Sequence, residues 1–395
     1  MQLSFKDLQY VIGSPEVVEQ MQNLKPFRPF DDMVIDFLND LSFLLRANRN
    51  YPDVATFGFW CRKAALIKEK EKYDDISSRF GKGIVFHSTP SNVPVNFAFS
   101  FAAGLLAGNA NIVRLPGKPF EQVGIISDAI NKLLKEKHKE LAPYIVFVKF
   151  PPVKKITDAF SSLCNVRVIW GGDMTVKELR QSPIPPRSTE ITFADRHSIA
   201  VIDADAYLEE NNKDVLIQNF YNDTYYTDQN ACTSPRIIFW RGTKKEEAKA
   251  DFWARVHKLI ETKYSLAPVS SVGKLNALYT VAVAKDVKLE KAEDMLITRL
   301  SVDCVDKDLM NYKYNCGFYF EKNINDLSGI ANVCDIRCQT LTYFGINKEE
   351  FEGFLEKVRP IGIDRIVPIG KSMDFALVWD GYDLIRQMSR KITII

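Results

Sequence analysis

The chain has 395 residues, of which 46% are hydrophobic and 26% charged, with a formal net charge of +2. That balance predicts a soluble globular protein of about two domains and supplies no field that would favour nucleic acid or an anionic membrane as partner. Seven cysteines, an odd number without repeating spacing, fit reduced thiols in a cytoplasm better than a disulfide framework.

The N-terminal Met-Gln-Leu-Ser-Phe-Lys-Asp lacks the basic segment followed by an apolar one that marks a secretory signal. Residues 1–80 read as a helical lead-in, with Met33, Phe37, Leu41 and Leu44 at helical spacing and a second amphipathic stretch from Ala55 to Glu71. Gly83 to His87 is a short apolar strand, and Thr89-Pro90-Ser91-Asn92-Val93-Pro94 breaks it before a small-residue helix from Val95 to Ala107. Val93 to Ala107 is the most apolar stretch, yet it falls short of the roughly 20 residues that span a bilayer. It carries Asn96, Ser100 and Gly104, so a buried helix is expected. After the stop at Gly108-Asn109, Ala110 to Leu115 is the next strand, which completes a βαβ unit.

The pattern repeats with a helix from Phe120 to Lys137, a strand from Tyr144 to Lys149, a helix from Val153 to Leu163 and a strand from Val166 to Trp170. A parallel sheet covered on both faces follows. Gly171-Gly172-Asp173 then leads into a helical Thr175 to Arg180, a junction suited to anions.

Pro183, Pro185 and Pro186 mark a break, and a strand from Ser198 to Ile202 with a helix from Val215 to Tyr225 opens a second αβ block. The expected organisation is a lead-in over 1–80, a first αβ domain over 81–199, a second over 200–340, and a return to the first domain over 341–395. Tyr343 to Ile346 and the helix from Lys348 to Val358 belong to that return. The apolar tail Lys391 to Ile395 needs a strand partner in its own sheet or in another subunit, so a homo-oligomer, dimer or tetramer, is expected.

Chemistry concentrates at Thr227-Asp228-Gln229-Asn230-Ala231-Cys232-Thr233-Ser234-Pro235-Arg236, between a polar and aromatic helical run and the apolar strand Ile237 to Trp240. A thiol at such a junction is reachable from solvent and close to backbone N–H groups that lower its pKa, whereas one inside a strand is inert. Space-filling is the competing reading for any single cysteine. No metal site is expected: Cys334 and Cys338 are the only pair near ligand spacing, no Cys-x-x-Cys occurs, and the four histidines are scattered. The absence of Gly-x-Ser-x-Gly sets aside a serine hydrolase of that type.

Six blocks, in order, resemble the acyl-CoA reductases of the LuxC type, long-chain fatty-acyl reductases of the aldehyde dehydrogenase superfamily. They are Pro90-Ser91-Asn92-Val93-Pro94, Gly104-Leu105-Leu106-Ala107-Gly108-Asn109, Ile112-Val113-Arg114, Trp170-Gly171-Gly172-Asp173, Ala231-Cys232-Thr233-Ser234-Pro235 and Trp379-Asp380-Gly381. The resemblance implies an aldehyde dehydrogenase-like α/β fold: two parallel-sheet αβα domains, the first binding a nicotinamide cofactor and the second carrying the cysteine, with a C-terminal oligomerisation strand. It also implies a reductase that forms an acyl thioester on Cys232. The acyl donor is then an acyl-CoA or an acyl-protein, the latter delivered by an acyl-protein synthetase.

Within that resemblance, Asn92 matches the asparagine whose amide donates to the thioester oxyanion, with the Cys232 N–H as second donor; turn capping is its other reading. Arg114 falls where aldehyde dehydrogenases place a ribose-contacting lysine, and Lys118 is close behind. Two cations there favour the 2′-phosphate of NADPH over NADH. Trp170, Gly171, Gly172 and Asp173 are the remaining cofactor candidates. The glutamate that activates hydrolytic water in oxidising members is replaced by Phe193, which favours reduction over hydrolysis. Glu190, three residues away, is an alternative base, and His197 fits either a proton-transfer partner or a packed ring. The aromatic run Phe220 to Tyr226 suits an acyl tunnel or helix packing. Other functions open at this point are a cysteine acyltransferase or thioesterase, NAD-dependent aldehyde oxidation, and a non-catalytic scaffold.

Overall fold

A computed structural model describes residue 5, residues 8–90 and residues 93–395. The chain divides into two compact units, Met1–Ala194 with Phe375–Ile395, and Asp195–Asp374. The first contains β1 (Gln9–Ile12), α1 (Pro15–Gln20), α2 (Asp32–Leu45), α3 (Pro52–Trp60), α4 (Lys63–Lys70), β2 (Arg79–Gly81), β3 (Ile84–Ser88) and α5 (Asn96–Leu106). It continues with β4 (Ala110–Arg114), α6 (Glu121–Glu136), β5 (Ile145–Lys149), α7 (Lys154–Leu163), β6 (Val166–Trp170), α8 (Asp173–Leu179) and β7 (Thr189–Phe193). The second unit runs β8 (His197–Asp203), α9 (Ala204–Glu209), α10 (Lys213–Asp223), β9 (Pro235–Arg241), α11 (Lys245–Lys263), α12 (Pro268–Ala284) and β10 (Lys288–Leu289). It ends with β11 (Thr298–Ser301), β12 (Phe318–Asn323), β13 (Cys338–Phe344), α13 (Lys348–Val358) and β14 (Arg365–Pro368). The chain then returns to the first unit as β15 (Val378–Trp379), β16 (Tyr382–Asp383), α14 (Leu384–Met388) and β17 (Ser389–Lys391).

The first unit is built on a six-stranded sheet in the order β1-β5-β4-β3-β6-β7, parallel except for the β1–β5 pair. Successive residues of each central strand enter different cores. Val85, Val113 and Phe147 pack with α2, α5 and α6, whereas Phe86, Ile112 and Val146 pack with α1 and α7. Both faces are therefore covered, as the unbroken apolar strands require. β1 lies within the stretch expected to be helical; its four residues ahead of α1 are too few for a period-2 signal to register. The expected helix from Ala55 to Glu71 is two helices, because Arg62 is extended and Lys63 N–H caps onto Asn39 Oδ1 at 3.0 Å.

The second unit has a seven-stranded sheet in the order β10-β11-β12-β9-β8-β13-β14. The same alternation holds: Ile199, Val201, Ile237 and Phe239 join one core, and Ala200, Ile202, Ile238 and Trp240 the other. Tyr343 to Ile346 and the helix Lys348–Val358, expected in the return to the first domain, belong here because β13 pairs in parallel with β8 and β14. Strand followed by helix is the grammar of both units, so pattern alone does not assign it. Of the tail expected as a strand only Lys391 pairs, as the end of β17 running antiparallel to β2, with Ile392 N–H reaching the Ser78 carbonyl at 2.8 Å; Ile394 and Ile395 are exposed and lie outside any strand. Among the described residues no helix is long and apolar enough to cross a membrane.

Gly104 lets α5 approach β3 and β4: a Cβ there would lie 2.1 Å from Asn111 Oδ1 and 3.0 Å from His87 Nε2. Gly104→Ala is expected to destabilise the protein by about 1–3 kcal/mol through overpacking, read as a lower urea midpoint. An unchanged midpoint would mean that Asn111 and His87 can yield without cost.

Candidate functional site

A cleft of about 720 Å³ in the first unit is lined by the ends of three parallel strands, among them Ser88, Arg114 and Trp170, together with Gly171, Gly172 and Thr175. Ser88, Arg114 and Trp170 are the last residues of β3, β4 and β6, so the cleft lies where open α/β sheets bind their ligands. A Cβ on Gly172 would meet nothing within 4 Å, which leaves bare backbone facing open space. At Gly171 a Cβ would come within 2.9 Å of Thr175, so the turn is tight. The Arg114 guanidinium stacks 4.8 Å from the Phe150 ring centroid, and its Nη2 reaches the Phe150 carbonyl at 3.4 Å. Lys118 is exposed in the following turn and Asp173 opens α8; neither is a wall of the cleft.

Trp170 is fixed from two sides. Its ring stacks on Phe193 at 3.6 Å between centroids, and its Nε1 donates to Ser100 Oγ at 2.9 Å. Ser100 in turn faces His87 Nδ1 at 2.8 Å, and His87 Nε2 lies 3.0 Å from Asn111 Oδ1. Asn111 assigns the direction of the chain: its Nδ2 donates to the Asn109 carbonyl at 2.8 Å, its Oδ1 accepts from Nε2–H, and Ser100 donates to Nδ1. His87 is fully buried, and burial pulls its pKa down to about 4. The cleft wall thus rests on a neutral, satisfied polar relay.

In the second unit, Cys232 is exposed on the loop between α10 and β9. Asp228 and Gln229 both adopt left-handed backbone, φ 51° and 59°, a conformation that surrounding contacts must enforce for non-glycine residues. The enforcing group is the buried Gln229 amide. Its Nε2 donates to the carbonyls of Pro235 (3.0 Å) and Phe318 (3.3 Å), and its Oε1 accepts from the N–H groups of Gly317 (2.9 Å) and Phe318 (3.2 Å). All of its hydrogen-bonding capacity is used. Buried Ser198 donates to the Cys232 carbonyl at 2.7 Å and accepts from Thr340 N–H at 3.2 Å. The peptide on the C-terminal side of the thiol is therefore held to β8.

The two expected proton carriers are engaged within their own units. Glu190 accepts from Arg167 Nε (2.9 Å) and from Arg180 Nε (2.7 Å), with a further bond to Arg167 Nη2, so it is a strut between β6, β7 and α8 rather than a base. His197 adjoins Ser198 on β8, and successive strand residues point to opposite faces. With Ser198 turned to the Cys232 loop, the buried His197 ring meets the Val333 carbonyl (3.3 Å) and the Cys338 thiol instead. Asn92 lies outside the described residues. Sequence reasoning gave no role to His87, Ser100, Ser198 or Gln229; single buried polar residues within apolar elements and loops carry no periodic signal.

A family model described as acyl-CoA reductase (LuxC) matches residues 63–302, a span that contains both Arg114 and Cys232. The chain belongs to this family. The resemblance seen in the six sequence blocks is thereby borne out. The LuxC-type chain is also similar to the long-chain acyl-protein thioester reductase of Vibrio harveyi, at 29% identity over 177 residues, which are 43% of this chain and 34% of that protein. The match thus spans about a third of the relative's length.

Among solved structures, an oxidoreductase from Marinobacter aquaeolei superposes with a TM-score of 0.67 at 10% identity, covering 95% of this chain and 89% of that one. An NAD-dependent benzaldehyde dehydrogenase from Corynebacterium glutamicum gives 0.59 at 13% identity, with 95% and 82% covered. The Delta-pyrroline-5-carboxylate dehydrogenase of Mycobacterium tuberculosis gives 0.60 at 14%, with 95% and 81% covered. At these identities the likeness shows the fold alone, which is the aldehyde dehydrogenase-like α/β fold expected from the sequence.

The His87 relay predicts an acid weakness. The folded state refuses a proton until about pH 4, whereas an unfolded histidine takes one up near 6.5. Stability is therefore unaffected by His87 above pH 6.5 and is lost as pH falls from there toward 4, by about 3 kcal/mol at the limit. Urea midpoints measured from pH 7.5 to 4.5 are expected to fall less steeply in His87→Gln than in the wild type. Equal slopes would show that His87 is protonated in the folded protein.

Proposed function

We propose that this LuxC-family chain reduces an acyl thioester, acyl-CoA or acyl-protein, to the aldehyde through an acyl-Cys232 intermediate with NADPH as reductant. The observation that carries the reading is an exposed thiol on a rigidly braced loop, in a chain whose family is acyl-CoA reductase. The Cys232 thiolate attacks the thioester carbonyl, the Sγ–carbon bond forms, and the bond to the donor sulfur breaks to release its thiolate. The Cys232 N–H and the Asn92 amide are the proposed donors to the oxyanion. Bound NADPH supplies the hydride that makes the acyl carbon an aldehyde. The Cys232 sulfur leaves as the thiolate it began as.

The first-unit cleft fits the cofactor in two respects. Gly172 offers backbone without a side chain in the way, and Arg114 brings to the wall a guanidinium that no carboxylate pairs among the described residues, whereas Lys154 there is paired with Asp158 at 2.8 Å. Arg114 is the proposed partner of the 2′-phosphate. Phe193, stacked on Trp170, has no carboxylate to activate water, which supports reduction as the exit from the acyl-enzyme.

The proposed homo-oligomer is supported by α12. Val269, Val272, Leu275, Tyr279 and Val283 are exposed on it, and its only charged residue, Lys274, is buried with Nζ donating to the carbonyls of Met295 (2.6 Å) and Cys316 (2.8 Å). Two copies can pair such faces without burying a charge.

The test is NADPH absorbance loss with graded acyl-CoAs, run beside an assay for the released thiol. Both signals are expected in equal amounts in the wild type and in neither for Cys232→Ala; aldehyde formation by that variant at the normal rate would refute the nucleophile. Thiol release without NADPH loss would move the reading to acyl transfer or hydrolysis. Arg114→Ala is expected to raise the KM for NADPH about tenfold or more while changing that for NADH far less, and equal changes would remove Arg114 from cofactor selection.

A further inference from the structure

Arg236, the second residue of β9, is only 5% exposed. Its Nη1 donates to the Tyr314 carbonyl at 2.8 Å and to Asn315 Oδ1 at 2.6 Å, and its Nη2 donates to the Gln229 carbonyl. All three acceptors are neutral, and among the described residues no carboxylate comes within ion-pair distance of the guanidinium. Buried arginines are normally matched by an anion, because an uncompensated charge is costly to desolvate. Burial pulls the Arg236 pKa to about 10, which still leaves it protonated at neutral pH, and Tyr319, Cys232, Asp195 and Cys316 lie within its electrostatic reach.

The same side chain closes the loop. Arg236 holds the Gln229 carbonyl while the Gln229 side chain holds the Pro235 carbonyl, so the two ends of the segment that presents Cys232 are tied to each other twice. Charged groups nearby pair with one another: Asp195 with Lys313 at 3.1 Å and Lys371 with Asp374 at 3.1 Å, while Asp228 lies within electrostatic reach of Tyr264. Asp223 accepts the N–H groups of Gly370 (2.6 Å) and Ser372 (3.1 Å). Cys316 and Tyr319 are buried.

We propose that Arg236 is a positioning residue for the thioester chemistry, a fixed positive charge that holds Cys232 as its thiolate and keeps its loop closed. The proposal rests on the reading of Cys232 as nucleophile. The thiol proton goes to solvent and the guanidinium is the counter-ion of the sulfur that remains. The charge is built into the fold, so Cys232 is activated before substrate or cofactor arrives.

The test follows alkylation of the Cys232 peptide by iodoacetamide from pH 5 to 10, with mass spectrometric readout and with Cys304, the other exposed thiol, as internal reference. In Arg236→Met the pH midpoint for Cys232 is expected to rise by about one unit or more, with about tenfold slower alkylation at pH 7, while Cys304 stays unchanged. Arg236→Lys, which keeps the charge, is expected to remain near the wild-type midpoint. Asn315→Asp leaves the arginine and its acceptor in place but adds an anion beside it, and should raise the midpoint like Arg236→Met even if the latter fails to fold. An unmoved midpoint in Asn315→Asp and in folded Arg236→Met, or an equal rise in Arg236→Lys, would overturn the proposal. These readouts need no turnover: a catalytically competent Cys232→Ala refutes the nucleophile, whereas an essential Cys232 with an unmoved profile refutes only the role of Arg236.

Discussion

Two parallel sheets, each covered on both faces, impose the constraint from which the rest of the structure follows. Parallel strands buried on two sides admit polar groups along their length only where these are partnered, as His87 and Asn111 are, and the groups that face a ligand are placed at the strand ends and in the loops that leave them. In the first unit this produces a cleft at the ends of β3, β4 and β6, with a glycine pair where backbone must face a ligand. In the second it produces a loop entering β9 on which Cys232 is exposed. The proposed chemistry uses one feature from each unit, and neither feature could sit in the middle of its sheet.

What makes such edges rigid is polar rather than apolar. Under the first-unit cleft, Trp170, Ser100, His87 and Asn111 pass hydrogen bonds along a buried line. Beside Cys232, the Gln229 amide satisfies four backbone groups and Arg236 satisfies two carbonyls and an amide oxygen. Buried polar groups of this kind are expensive when incomplete and specific when complete. They hold left-handed backbone at Asp228 and Gln229 that apolar packing would not select.

Much of this was legible in the sequence, and the boundary is physical. The strand and helix succession from Gly83 to Trp240 shows itself because buried parallel strands are continuous apolar runs and their helices keep a 3.6-residue period. Six ordered blocks were enough to indicate the family and its fold, although each was weak alone. Of the residues proposed for the cofactor, Arg114, Trp170, Gly171 and Gly172 line one cleft, whereas Lys118 and Asp173 do not. Glu190 and His197 are held by Arg167, Arg180 and the Val333 carbonyl, partners that no local pattern announces. β13 and α13 went to the other unit because strand order follows from pairing, which no local pattern encodes. Gln229 and Arg236 looked like ordinary loop and strand-end residues until the carbonyls they hold were seen.

The central claim is a covalent acyl group on Cys232. The most direct measurement is intact-protein mass spectrometry after mixing with the thioester that supports NADPH oxidation, with the nicotinamide withheld, followed by peptide mapping. The account predicts a mass increase of one acyl chain, located on Cys232 and cleared when NADPH is added. Turnover without any adduct, or an adduct on a residue other than Cys232 that NADPH clears, would contradict it.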